Sequence, residues 1–161
     1  MVRILGIDPG TLKLGFGIIE GTGGTYRSVD FGLVKLASRT PFPERLKKIY
    51  DELVFIIERY SPDEFAIEDL FYAENAKVAL KMGHARGVAI LAAVNNHLPT
   101  AEYSPREVKQ AVVGNGAASK SQVQRMVMQL LQLRIAPDPA DVSDALAVAI
   151  CHMHRRGNPL R

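Results

Sequence analysis

The chain carries one cysteine, Cys151, in 161 residues. A lone thiol excludes an internal disulfide framework and a cysteine-built zinc cluster. Long apolar runs are also missing. The longest, from Gly87 to Val94, falls far short of the about 20 residues that a helical bilayer span requires. The N-terminus lacks the basic, apolar and small-residue layout of a secretory signal. No internal repeat or low-complexity linker interrupts the chain, and neither sign of charge dominates it. Twenty basic against 17 acidic side chains leave a net charge of +3, which permits a polyanionic partner without requiring one. These absences lead us to expect a soluble cytoplasmic protein with no membrane partner.

What is present is core-forming material. At 47% hydrophobic and 23% charged, the composition suits one domain over residues 1–161. Residues 2–8 read as a first strand, Leu14 to Glu20 as a second and Tyr26 to Leu36 as a third, an antiparallel meander. Leu46, Ile49, Leu53, Ile56 and Ile57 then recur at helical spacing, with charged residues on the other face. Glu64 to Glu68 reads as a short strand, and a helix follows from about Glu74 to His97. Thr100 to Tyr103 reads as the last strand, and helical patterns cover 105–113, 119–133 and 139–155. The order βββαβαβααα predicts an α/β fold, a mixed five-stranded sheet with helices packed on it. In the 74–97 helix, Ala79, Gly83 and Gly87 line one face. Such a stripe serves either close packing on the protein's own sheet or a dimer interface.

The acids raise the chemical question. Asp8 ends an apolar strand and precedes Pro9-Gly10, and Glu68 ends the strand "EFAIE" in the same way. If the two strands are neighbours, the two carboxylates meet. In "DPADVSDALAVAICH", Asp138 reads as an N-cap with Pro139 at the first helical position. Asp141 and Asp144, three apart, then share a face of the first two turns. Ala145, Ala147 and Ala149 are small enough for that helix to lie close against a sheet. Each acid has an ordinary explanation: Asp8 as a turn residue, Asp141 as a favoured charge at a helix N-terminus. Gathered in a partly dry site, however, three or four carboxylates repel one another unless a cation joins them. Mg²⁺ suits such a cluster, and two such ions can clamp the attacking and leaving oxygens of a phosphodiester.

"ILGIDPGT", "FAIEDLFYAENAKVALKMGHARGVA", "VKQAVVGNGAASKSQVQ" and "DVSDALAVAI" stand in order over nearly the whole chain. Together they resemble the RuvC family, bacterial Holliday-junction resolvases with an RNase H-like fold. The resemblance implies that Asp8, Glu68, Asp141 and Asp144 are the catalytic, metal-binding acids. They would hold Mg²⁺ or Mn²⁺, two ions per site, and cut four-way DNA junctions to leave 5′-phosphate and 3′-hydroxyl ends. Lys109 and Lys120 match basic residues near the DNA backbone, and Phe71 matches an aromatic that contacts bases at the junction centre. The resemblance also implies a homodimer that nicks two strands symmetrically and works with the RuvA and RuvB branch-migration proteins. Family members often carry extra residues after the last helix, where this chain has only "HRRGNPLR".

The residues support parts of this independently. Lysines such as Lys109 and Lys120 position a duplex through its phosphates without reading sequence. Ser119 can cap the helix that Lys120 begins, turning its amides toward an anion. Phe71 and Tyr72 are either buried loop aromatics or exposed rings that stack on an unpaired base. Other readings are weaker. "GNGAASKS" nearly spells a nucleotide-binding P-loop, but Ser119 stands where that motif requires glycine. "GIDPGT" also resembles the first phosphate loop of actin-like ATPases, which need a second domain to close over nucleotide. A non-catalytic junction-binding module would use the lysines but not the acids. Relatives of the same fold that process pre-rRNA are the nearest enzymatic alternative.

Overall fold

The computed structural model describes residues 1–22, 24–69 and 75–156. β1 (Val2–Asp8), β2 (Lys13–Thr22) and β3 (Thr25–Lys35) form the expected antiparallel meander. β4 (Glu64–Glu68) lies parallel to β1, and β5 (Thr100–Tyr103) lies parallel to β4. The sheet therefore runs β3-β2-β1-β4-β5. Helices α1 (Phe42–Tyr60) and α2 (Ala76–Asn95) cover one face, and α3 (Pro105–Val113), α4 (Lys120–Leu130) and α5 (Ala140–Arg156) cover the other.

The two-residue period of the strands assigns the two cores. Leu5 and Ile7 of β1, Leu14 and Ile18 of β2, and Phe65 and Ile67 of β4 pack with α1 and α2. Ile4, Ile19 and Ala66 point the other way, into the core made with α3, α4 and α5. All nine of these side chains are fully buried. Buried on the sheet and on α3 and α4, α5 lies almost on the sheet backbone. A Cβ on Gly6 would come within 2.3 Å of the Ala145 carbonyl oxygen, and one on Gly15 within 2.2 Å of the Asp141 carbonyl oxygen. Glycine is required at both positions for that approach. It sets the height of the α5 N-terminus above the ends of β1 and β2.

β1, β4, β5 and α3 keep the bounds read from the sequence, and those of β2, β3, α2, α4 and α5 move by one to three residues, as where α4 stops at Leu130. The capping expectation at α5 fails. The helix begins at Ala140, Val142 N–H donates to the Pro139 carbonyl at 3.0 Å, and exposed Asp138 lies one residue too early to cap. The small-residue stripe of α2 also has a different setting from one of its two readings. The helix meets its own protein through Ala85, Ala89, Ala92 and Ala93. Gly83 and Gly87 are exposed, and a Cβ on either would touch nothing within 4 Å. They do not pack on the sheet.

Candidate active site

Parallel pairing brings the first two acids together. Ile7 and Ile67 are partners across the β1–β4 ladder, so Asp8 and Glu68 end adjacent strands side by side. Alternation turns both toward the α5 side, the face of Gly6 and Ala66. There α5, lowered by Gly6 and Gly15, presents Asp141 and Asp144 from its first two turns. All four acids line a cavity of about 500 Å³. Lys109 on α3 and Lys120 at the start of α4 line it too. Ser119 caps α4 as expected, accepting from Gln122 N–H at 3.2 Å, while the Gln122 side chain accepts from Ser119 N–H at 2.8 Å. Phe71 and Tyr72 lie outside the described residues.

The electrostatics are those of carboxylates crowded into a partly buried site. Burial first, and then the carboxylates of Glu68, Asp144 and Asp141, together push the Asp8 carboxyl up to about 9. Glu68 is pushed up to about 6 by burial and by Asp144, against the opposing pull of an Asp8 hydrogen bond and of Lys120 and Lys109. Burial also raises Asp144, while Lys120 draws it down. Two ammonium groups stand on the outer pair of acids. Lys120 Nζ is 3.4 Å from Asp144 Oδ2, and Lys13 Nζ is 3.1 Å from Asp141 Oδ2. In return, Asp144 raises the Lys120 pKa.

Lys13 and Arg86 escape a reading of the sequence. Lys13 opens β2, and nothing in its neighbours separates it from an ordinary surface lysine until α5 lays Asp141 beside it. Arg86 sits in the middle of α2, and its Nε donates to the Glu68 carbonyl oxygen at 3.2 Å. An arginine within a mostly apolar helical stretch is a usable signal, but its partner lies on another element. Among the described residues, no three acid or imidazole groups already converge on one metal-ligating point. The donor set nonetheless fits a hard divalent cation: four carboxylates face one cavity, with Asp8 raised far above the usual carboxylate range and Glu68 raised to about 6.

The family model described as "Crossover junction endodeoxyribonuclease RuvC" matches residues 4–152. The chain belongs to the RuvC family. It is 51% identical to the crossover junction endodeoxyribonuclease RuvC of Saccharophagus degradans over 161 residues, covering 100% of this chain and 92% of that one. It is 56% identical to the RuvC of Syntrophotalea carbinolica over 154 residues, 95% of this chain and 94% of its relative. Among solved structures, Thermus thermophilus RuvC in complex with a Holliday junction substrate superposes with a TM-score of 0.93. That match has 34% sequence identity and covers 97% of this chain and 95% of the other. A yeast mitochondrial Holliday junction resolvase matches with a TM-score of 0.66 at 12% identity over 97% of this chain and 81% of its own, a likeness of fold. The RuvC-family sheet order and the α5 approach over β1 and β2 are what set the four acids in one cavity. Among the described residues, no helix of this RuvC-family chain is long and apolar enough to cross a membrane.

Proposed function

We infer that this chain is a Holliday-junction resolvase, a structure-selective endonuclease that hydrolyses phosphodiesters of four-way DNA junctions in recombination and repair. Family membership supports the substrate. The observation that carries the chemistry is the convergence of Asp8, Glu68, Asp141 and Asp144 on one cavity. Divalent metal, Mg²⁺ or Mn²⁺ and two ions per site, would supply water activation and neutralise charge on the phosphate. Asp8 and Glu68, innermost and most perturbed, would hold both ions, with Asp141 and Asp144 completing the two sides. Lys109 and Lys120 at the cavity wall would bind phosphate oxygens and fix the strand's register. Phosphate binding frees Lys120 from Asp144, leaving that carboxylate available to a cation.

The active form in this reading is a homodimer joined through α2. Leu80, Gly83, Gly87, Leu91 and Val94 follow at three- and four-residue steps and form one exposed stripe. Leu80 is 66% exposed, Leu91 51% and Val94 53%, an apolar surface centred on two glycines that admit a close neighbour. Two sites related by a twofold axis match the symmetry of a four-way junction. Family resemblance further supports action in the cytoplasm beside the RuvA and RuvB branch-migration proteins.

The test incubates the protein with labelled four-way junction, linear duplex, RNA–DNA hybrid and ATP, with and without Mg²⁺. Paired symmetric nicks on the junction alone, requiring metal, are expected. Asp8→Asn should keep junction binding and lose cleavage. Binding by the wild type without cleavage in any metal would replace this reading with a non-catalytic junction module.

A further inference from the structure

Among the described residues, Arg86 is the basic group that reaches the end of β4 from the α1–α2 side of the sheet. Its side chain is 15% exposed, although it belongs to a helix whose buried face is otherwise alanine. Nε donates to the Glu68 carbonyl oxygen at 3.2 Å. Nη2 lies 2.9 Å from Glu102 Oε1 and 3.3 Å from Asp69 Oδ1, both as ion pairs off hydrogen-bond alignment. One guanidinium thus meets the last residue of β4, the residue that follows it, and the neighbouring strand β5. Arg86 and Met82 of α2 also share a second, small cavity with Asp8, Pro9, Glu68 and Asp69.

The place of this contact matters. Glu68 is the last ladder residue of β4, paired with Tyr103. Beyond it the Asp69 N–H donates to the Tyr103 carbonyl at 2.7 Å and keeps the chain on the sheet. The Glu68 carbonyl accepts from Arg86, so the peptide that aims the Glu68 side chain is held from the opposite face. A planar guanidinium can grip a carbonyl and two carboxylates at once, which a lysine ammonium on a flexible stem does not reproduce.

We propose that Arg86 is a positioning residue for cleavage: it holds the end of β4 so that Glu68 meets Asp8 and Asp144 in metal-binding geometry. The proposal rests on the reading of Glu68 as a metal ligand. Arg86 touches neither the metal nor the DNA in this role. It acts through the Glu68 backbone and keeps the Asp69 and Glu102 charges from pulling that segment toward solvent.

The experiment compares wild type, Arg86→Ala, Arg86→Lys, Glu102→Gln and Asp8→Asn in two readouts. The first is the rise in melting temperature with added Mn²⁺ in the absence of DNA. The second is single-turnover junction cleavage as a function of Mn²⁺, with junction binding measured in EDTA. Arg86→Ala and Arg86→Lys should each raise the half-saturating Mn²⁺ concentration roughly tenfold in both readouts, the scale of a lost outer contact to a ligand. Junction binding in EDTA should stay within about twofold of wild type, since such contacts act on the metal ligands and not on the phosphates. Glu102→Gln removes an ion pair and leaves the carbonyl bond, so its half-saturating Mn²⁺ should match wild type. Wild-type metal dependence in Arg86→Lys overturns the proposal, as does a Glu102→Gln shift equal to that of Arg86→Lys. If Arg86→Ala does not fold, the Arg86→Lys and Glu102→Gln pair decides alone. Asp8→Asn separates the two levels: if it keeps the full Mn²⁺-induced stabilisation, the metal-site reading itself fails, whatever Arg86 does.

Discussion

Replacing Asp8 by Asn should stabilise the metal-free protein and abolish its response to metal. In the folded chain the Asp8 carboxyl is raised from 3.8 to about 9, first by burial and then by Glu68, Asp144 and Asp141. Its folded pKa lies above its unfolded one, so across that window the folded state holds a proton that the unfolded state has released. Stability of the metal-free protein therefore falls as pH rises from about 4 to about 9, and the loss is complete only above the folded value. At pH 7 the interval covers about three units, an upper bound of about 4 kcal/mol at 1.4 kcal/mol per unit. Glu68 and Asp144 share the same repulsion, and an amide still has to be desolvated. A net gain of roughly 1–3 kcal/mol for Asp8→Asn is what remains. For a chain of this size that is a rise in melting temperature of about 3–10 °C.

Thermal unfolding in EDTA at pH 5, 7 and 9 measures this directly. The gap between Asp8→Asn and wild type should widen with pH, because only the wild type has the Asp8 charge to relieve. Mg²⁺ should then raise the wild-type melting temperature, most strongly at pH 9, and leave Asp8→Asn nearly unchanged. A gap that stays constant from pH 5 to 9, or an Asn variant less stable at pH 9, would refute the account of Asp8 as a strained member of a crowded carboxylate cluster.

Gly15→Ala should cost about 1–3 kcal/mol in chemical denaturation, because its Cβ would stand 2.2 Å from the Asp141 carbonyl oxygen and push the start of α5 away. Single-turnover cleavage should fall with it, as Asp141 and Asp144 move from the strand ends. Lys120→Ala should weaken junction binding similarly across sequences and lower the salt slope of binding by about one, read from titrations at several NaCl concentrations. If the proposed α2 dimer forms, Leu91→Glu should leave a monomer in sedimentation and replace paired nicks by single, uncoordinated ones.

Much of the fold was legible because the strands carry clean signals. β1 alternates between two cores and ends abruptly at Asp8-Pro9-Gly10, so both its bounds and its buried character show in one short stretch. The same holds for β4, where Phe65 and Ile67 face one core and Ala66 the other. Boundaries slipped where local chemistry competes. Asp138-Pro139 offers a plausible cap, yet the Pro139 carbonyl takes the first helical bond and shifts the start to Ala140. In α2 the spacing of Ala79, Gly83 and Gly87 marked a face without saying what it faces. That depends on which side α1 occupies, and α1 pairs with the Ala85, Ala89, Ala92 and Ala93 side.

The candidate site divides along the same physical line. Asp8, Glu68, Asp141 and Asp144 could be picked out because each breaks a pattern that its own element establishes: a charge ending an apolar strand, or charges inside an apolar helix. The raised proton affinities of Asp8, Glu68 and Asp144 are the energetic form of that break. Lys13 breaks no pattern, since a lysine opening a strand is unremarkable, and Arg86 stands out in a mostly apolar stretch of α2 without showing what it pairs with. Their roles exist only through partners on other elements, Asp141 for one and the end of β4 for the other. Residues that carry charge into an apolar setting announce themselves locally, whereas residues that compensate such a charge are found only once the fold has brought the two together. The four acids belong to the first kind, and Lys13 and Arg86, which meet them from other elements, to the second. In this fold, the ladder register of β1 and β4 and the glycines beneath α5 connect the two kinds.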